Sequence, residues 1–299
     1  MRAADLLRMA WGKVVGHRLR SLLTMLGIAI GIAAVVLLTS IGEGIRQFVL
    51  QEFTQFGTNL IGINPGKSET TGGNPVALAG TIRKLTIEDA AALARLPQVE
   101  VSMPVAFGNA RVEFGQRGRS VFVYGVTSDM PKVWKFGVRQ GRFLPPGDPR
   151  HGAPVAVLGT KLKRELFGER NALGQRIRIA GRPFRVLGIM QPKGQFLNFD
   201  LDDTVFVPVG QAMSLFNRDD LFEIDVVYRS ARFADEVVAG IRRVMLDRHD
   251  GEEDFTITTQ ESMLKVLDRI ITVVTSAVGA IGGISLVVGA IGILTMMWI

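Results

Sequence analysis

No cysteine occurs in these 299 residues, and there are only three histidines and two tyrosines. Without cysteine there is no disulfide framework, no thiolate zinc site and no cysteine nucleophile. The absence selects no compartment, because reducing and oxidising environments both accommodate it. His17, His151 and His249 lie far apart and no H-E-x-x-H pair is present, which argues against zinc. G-x-S-x-G is missing as well, and no Ser, His and Asp group is suggested. The expectation is a chain with no catalytic residue, no metal site and no cofactor of its own.

Charge is also missing from two long stretches, Ser21–Ile41 and Ile270–Ile299. Each exceeds the roughly 20 residues that cross a ~30 Å hydrocarbon core. Both read as transmembrane helices, with the first too long for the roughly 7–15-residue core of a cleaved signal. Between them the composition is that of a water-soluble domain. The chain is 47% hydrophobic overall, yet its mean hydropathy is only +0.25.

The net charge of +7 is uneven. Arg2, Arg8, Lys13, Arg18 and Arg20 oppose only Asp5 before the first span. Such a basic segment is cytoplasmic under the positive-inside rule, and each cation near an anionic leaflet contributes on the order of 1 kcal/mol. These five residues are the expected cytoplasmic membrane anchor, and membrane lipid is their partner. Ala3, Leu6, Leu7, Ala10 and Val14 recur at helical spacing, so residues 1–20 read as an amphipathic surface helix or an extension of the first span. No recognition fold surrounds the cations, so nucleic acid is not a partner. One crossing then places residues 45–268 outside the cytoplasm, and the second returns the chain.

Past the outer face, Ile45, Phe48, Val49, Phe53 and Phe56 keep a helical period. Met263, Val266, Leu267 and Ile270 mirror it, with Glu261 and Lys265 as a favourable i,i+4 pair. Two helices continuing together would form a stalk. Glu43 sits at the junction of span and stalk, where a structural role is favoured over a proton relay because an edge carboxylate can reach water.

The outer segment opens with a strand at Asn59–Asn64 and a Gly/Ser/Thr/Pro-rich loop over 65–80. Thr86 and Asp89 form a capping-box pattern for a helix to Leu96. Strands are expected at 99–107, 110–114, 121–126 and 154–158, then a helix at 161–167. A hairpin over 176–179 and 184–190 turns at Ala180–Arg182. Strands at 204–209, 223–228 and 255–259 alternate with helices from Gln211 and over 233–249. The fold class is an α+β membrane protein in which two transmembrane helices, 21–44 and 269–299, flank a two-lobed domain with a helical stalk. The first lobe combines 45–107 and 201–268; the second, β-rich, is an insert at 108–200.

Three motifs compete for a chemical reading. Gly62–Ser68 resembles a phosphate loop, but its first glycine is one residue too close and a loop, not a helix, follows. Asp200, Asp202 and Asp203, and Glu252, Glu253 and Asp254, lack EF-hand spacing and read as solvated charge. Gly27-x-x-x-Gly31 and Gly279-x-x-x-Gly283, with Ser285, Gly289 and Gly292, let helix backbones approach closely. Glycine is common in membrane helices, yet its density on the second span favours packing.

His17–Ile28 (HRLRSLLTMLGI), Ser40–Gly44 (SIGEG) and Gly57–Leu60 (GTNL) resemble the first-span signature of MacB-like, macrolide-exporter-type ABC permeases. Ile284–Leu294 (ISLVVGAIGIL) is similar to the start of their FtsX-like permease domain. The resemblance spans the chain and implies a periplasmic core domain carried on an inner-membrane permease. It implies an efflux function driven by a separate ABC ATPase subunit, transmitted as motion through the helix pair. A homodimer, a periplasmic adaptor and an outer-membrane channel are implied partners. The family has four spans, so the resemblance implies a truncated product or partial sequence without the last two. A lipoprotein-releasing or cell-division-type permease shares this plan. A two-span periplasmic ligand sensor has the same topology.

Overall fold

The computed structural model describes residues 18–54, 59–66, 83–196 and 199–298. The expected surface helix with Arg2, Arg8 and Lys13, most of the loop over 65–80, and the Lys67–Ser68 end of the phosphate-loop resemblance lie outside the described residues. The chain divides into two compact units: residues 1–50 with 261–299, and residues 51–260.

The first unit holds the greater part of two helices, α1 (Arg18–Thr54) and, last in the chain, α7 (Gln260–Trp298). Neither contains proline, so the backbone ladder is uninterrupted. Two of their hydroxyls bond the preceding turn: Thr39 donates to Val35 O at 3.0 Å and Thr272 to Asp268 O at 2.7 Å. Among the described residues, Ala29–Gln47 is long and apolar enough to cross a membrane, with a mean hydropathy of 1.6. Only 6% of that stretch is buried. A core helix of a water-soluble protein would hide these side chains; here Leu22, Met25, Ile30 and Leu37 face outward.

The second unit is built on a ten-stranded sheet. Its strands are β1 (Leu60–Pro65), β2 (Val99–Phe114), β3 (Arg117–Val126), β4 (Val138–Gly141), β5 (Val155–Leu158), β6 (Arg176–Ile179), β7 (Arg182–Met190), β10 (Thr204–Pro208), β11 (Glu223–Tyr228) and β12 (Phe255–Thr259). A separate short pair, β8 (Gln195–Phe196) and β9 (Phe199–Asp200), lies outside it. The path is β12-β1-β11-β2-β3-β10-β5-β7-β4, with β6 bridging β2 and β7. All pairs are antiparallel except β3–β10 and β5–β7.

The long strand β2 serves both halves: Val99–Val105 pair with β11, and Ala106–Phe114 pair with β3. A strand break at Gly108–Asn109 is not found. Gly108 is there for close approach, since a Cβ would lie 2.5 Å from the Phe216 ring. β10 pairs with β3 and β5, so residues 204–208 lie on the half of the sheet formed by the 108–200 segment.

Helices α2 (Ile87–Leu93), α3 (Met130–Val133), α4 (Thr160–Phe167), α5 (Val209–Phe216) and α6 (Ala234–Arg248) cover the sheet. α2 starts at Thr86 with the expected capping box and stops before Leu96, because Pro97 disfavours helical geometry in the preceding residue. α6 buries Val237, Ile241 and Met245, one stripe at i,i+4 spacing. Two apolar clusters result. One contains Ile61, Leu93, Val112, Phe184 and Ile241; the other centres on Phe206, Met103, Phe136 and Met190. Each such side chain contributes roughly 1.5–3 kcal/mol on burial. The expected hairpin closes at Ala180 and Gly181, both at positive φ, the signature of a two-residue turn that matches strand twist.

Candidate functional site

The helix pair has a seam. Gly31, Val35, Leu38 and Gly42 of α1 recede from the surface, as do Leu264, Ile271, Thr275, Val278 and Gly282 of α7. Gly31 to Gly42 and Ile271 to Gly282 alternate four- and three-residue steps, and Leu264 lies one heptad before Ile271, the spacing of knobs-into-holes packing. A Cβ on Gly42 would lie 3.0 Å from Ile271 Cγ2, and one on Gly282 would lie 3.4 Å from Val35 and 3.7 Å from Gly31 O. Of the glycines singled out from sequence, Gly31 lies on this seam, while a Cβ added to Gly279 or Gly283 would meet nothing within 4 Å. Gly27, Gly289 and Gly292 belong to the two helices, but their packing lies outside what the structure describes, as do the side chains of Arg18 and Arg20.

An ionic cluster joins the same helices. Arg46 Nε stands 3.3 Å from Asp268 Oδ1, and Arg46 Nη1 stands 4.0 Å from Glu43 Oε2. Gln47 Nε2 donates to Glu43 Oε1 at 3.1 Å. Glu43 is thus one member of a four-residue cluster whose cation and second carboxylate the sequence reading missed. The expected Glu261–Lys265 pair forms at 2.7 Å.

In the sheet unit several titratable groups are engaged with one another. Asp89 accepts from Thr86 N at 2.8 Å, Thr86 Oγ1 at 2.7 Å and Arg248 Nε at 2.5 Å. Burial pushes its carboxyl up, but the Arg248 and Thr86 hydrogen bonds outweigh this and hold it below its ordinary range. Buried His249 places Nδ1 2.6 Å from Asp254 and Nε2 3.7 Å from Asp89. Arg83 bonds Asp250, Arg248 O and, through its backbone N–H, Asp254. This network anchors the entry to β12, and β12 passes into α7 with no linker residue between Thr259 and Gln260.

Five of the six carboxylates weighed for calcium already hold other partners, Asp254 among them through His249 and Arg83. Arg119 grips Asp203 at 2.5–3.0 Å, Lys161 reaches Asp200 at 2.7 Å, and Asp202 accepts the Lys193 and Gly194 N–H groups. Glu253 pairs with Arg242. His151 lies exposed beside Asp148, and His17 is outside the described residues.

Asp225 is the most buried carboxyl of the group at 2% exposed. Trp134 Nε1 donates to it at 2.6 Å. Desolvation, reinforced by neighbouring Glu223, raises its pKa well above the ordinary value. A cavity of about 680 Å³ in the same unit is lined in part by Ala90, Ala91 and Ala94 and by Glu88 and Arg150, which pair with each other.

Residues 21–244 match the MacB-like periplasmic core domain. The chain belongs to this family. It is 35% identical over 296 residues to the pyoverdine export ATP-binding/permease protein PvdT of Pseudomonas syringae pv. tomato, covering 98% of this chain and 44% of that protein. The Pseudomonas aeruginosa PvdT is 32% identical over 295 residues, covering 98% and 43%. The chain therefore spans a little under half the length of these relatives. Among solved structures, the periplasmic region of MacB from Actinobacillus actinomycetemcomitans has a TM-score of 0.60 at 20% identity, covering 74% of this chain and 97% of that one. The extracellular domain of the noncanonic ABC-type transporter YknZ from Gram-positive bacteria has a TM-score of 0.56 at 21% identity, covering 67% and 100%. These likenesses establish the mixed α+β fold of a MacB-like core domain.

Proposed function

We propose that the chain is the permease portion of an ABC-type exporter, with α1 and α7 spanning the inner membrane and the sheet domain in the periplasm. The observation that carries this reading is a paired, outward-apolar helix seam continuous in sequence with a MacB-like core domain. The apolar side chains of α7, including Val273, Ile284 and Leu294, face outward as those of α1 do, which supports a second span. Ion pairing at Glu43, Arg46 and Asp268 sits at the edge of the apolar stretch, where charge can reach water.

In this reading an ATPase partner moves the helix pair on the cytoplasmic side. The seam holds α1 and α7 together, and the absence of a linker before α7 lets displacement reach β12 rather than dissipate. The sheet domain then works as two lobes that move cargo outside the membrane. Gly279 and Gly283, which meet nothing within this pair, pack against other helices, in a second copy or in further spans. Arg2, Arg8, Lys13, Arg18 and Arg20 anchor the cytoplasmic end, and a periplasmic adaptor and outer-membrane channel complete the path. The PvdT relatives are named for pyoverdine export, so pyoverdine is the first cargo to test.

ATP hydrolysis is assigned to a separate subunit. The name of the relatives, ATP-binding/permease, supports a second arrangement in which both parts belong to one polypeptide. Co-purification with the cognate ATPase tests the reading. Association that strengthens with a non-hydrolysed ATP analogue supports it; a complex indifferent to nucleotide, or none, overturns it.

A further inference from the structure

The segment 108–200 carries seventeen Lys and Arg against six Asp and Glu, a net of +11. Residues 201–268 carry seven against fifteen, a net of −8. The overall +7 conceals this opposition. Part of the positive excess is gathered on one sheet face. Arg176 and Arg185 stand directly opposite each other in the β6–β7 pair, and Arg178 stands opposite Pro183 and, across the other edge of β6, Glu113. The intervening Ile177 and Phe184 point into the core, so all three arginines share the outward face.

All three are exposed, and among the described residues none has a carboxylate within ion-pair distance. The acid opposite Arg178, Glu113, is taken by Arg111 at 2.8 Å. Like charges placed directly opposite in a sheet oppose pairing. The fold therefore presents an uncompensated cationic ladder rather than a neutralised surface.

We propose that the outward face of β2, β6 and β7 is a docking surface for an acidic protein segment. Successive outward positions on a strand are about 6.6–6.8 Å apart and neighbouring strands about 4.8 Å apart, a flat array that matches carboxylates on one side of an extended chain. Guanidinium forks hold carboxylates in bidentate fashion, which gives such a contact direction as well as charge. A lipid headgroup is the weaker fit, because the cross-strand neighbours of the arginines are Glu113, Pro183 and Val155, and two small apolar residues offer little area for acyl chains. The inference does not depend on the exporter reading.

The test uses the whole chain in detergent, with fluorescent poly-glutamate as the probe, read by anisotropy at about 50 and about 200 mM salt. Replacing the ladder (Arg176→Glu, Arg178→Glu, Arg185→Glu) is expected to weaken binding about tenfold or more, and the Gln triple to weaken it as well. Changing Arg95, Arg229 and Arg243 to Glu alters net charge equally and is expected to leave affinity within about twofold. Equal loss in both triples would reduce the effect to bulk charge and overturn the proposal. So would tighter ladder-dependent binding to phosphatidylglycerol vesicles than to poly-glutamate, or a ladder requirement seen only in self-association. Unchanged thermal unfolding of the Gln triple separates lost docking from lost fold.

Discussion

Arg46 on α1 and Asp268 on α7 form an ion pair at 3.3 Å, the charged end of a seam that continues through Gly42 and Ile271 to Gly31 and Gly282. Their side chains are 45% and 55% exposed. A pair so open contributes only about 0.2–1 kcal/mol, so its role is registration of the two helices rather than gross stability. If the proposed exporter reading holds, Arg46→Asp or Asp268→Arg alone is expected to reduce export by the assembled transporter, and the double exchange to restore part of it. Transport assays on the three variants check this; a double variant no better than either single one would contradict it.

Gly42 is the tightest point of the seam. Gly42→Leu forces side-chain volume against Ile271 and is expected to weaken the helix pair by about 1–3 kcal/mol. Gly279→Leu meets open space within this pair and leaves it unchanged. Because the chain has no cysteine, disulfide formation between Val35→Cys and Gly282→Cys reports the pairing without background. The yield is expected to fall in the Gly42 variant and hold in the Gly279 variant.

Asp225 sets an alkaline-side dependence. Its folded pKa is raised, so the native state keeps a proton that the unfolded chain releases above its ordinary pKa of 3.8. Stability from this group is complete below that value and declines as pH rises toward the folded pKa. Asp225→Asn keeps an acceptor for Trp134 and removes the titration. Urea unfolding at several pH values is expected to show a flatter slope above about pH 4 for the variant, with equal or higher stability at neutral pH.

Thr86→Ala removes the N-cap of α2 and one of the hydrogen bonds to Asp89, and is expected to cost about 0.5–2 kcal/mol. Thr86→Ser restores most of it. Thermal unfolding of both variants checks the assignment.

What the sequence made legible was local. The Thr86–Asp89 box, the Ala180–Gly181 turn and the strands around them depend on residues within a few positions of each other. Pairings between distant segments were not legible: nothing near Asp268 marks Arg46 as its partner, and the parallel β3–β10 contact joins strands far apart in sequence. Gly108 suggested a break because the side chain that fills the space beside it, Phe216, comes from a helix far along the chain. The seam had a readable signal, the three–four spacing of Gly31, Val35, Leu38 and Gly42, but the G-x-x-x-G pattern drew attention instead. β4 offered none, since its residues are exposed or half-buried without alternation.

The central claim is that the helix pair crosses the membrane and the sheet domain lies outside the cytoplasm. Gly147 is exposed with nothing within 4 Å of an added Cβ, so Gly147→Cys is a benign reporter in a cysteine-free chain. An impermeant maleimide applied to intact spheroplasts is expected to label Gly147→Cys at once and Lys13→Cys only after permeabilisation. Labelling in the reverse order, or of neither site until the membrane is opened, would contradict the account.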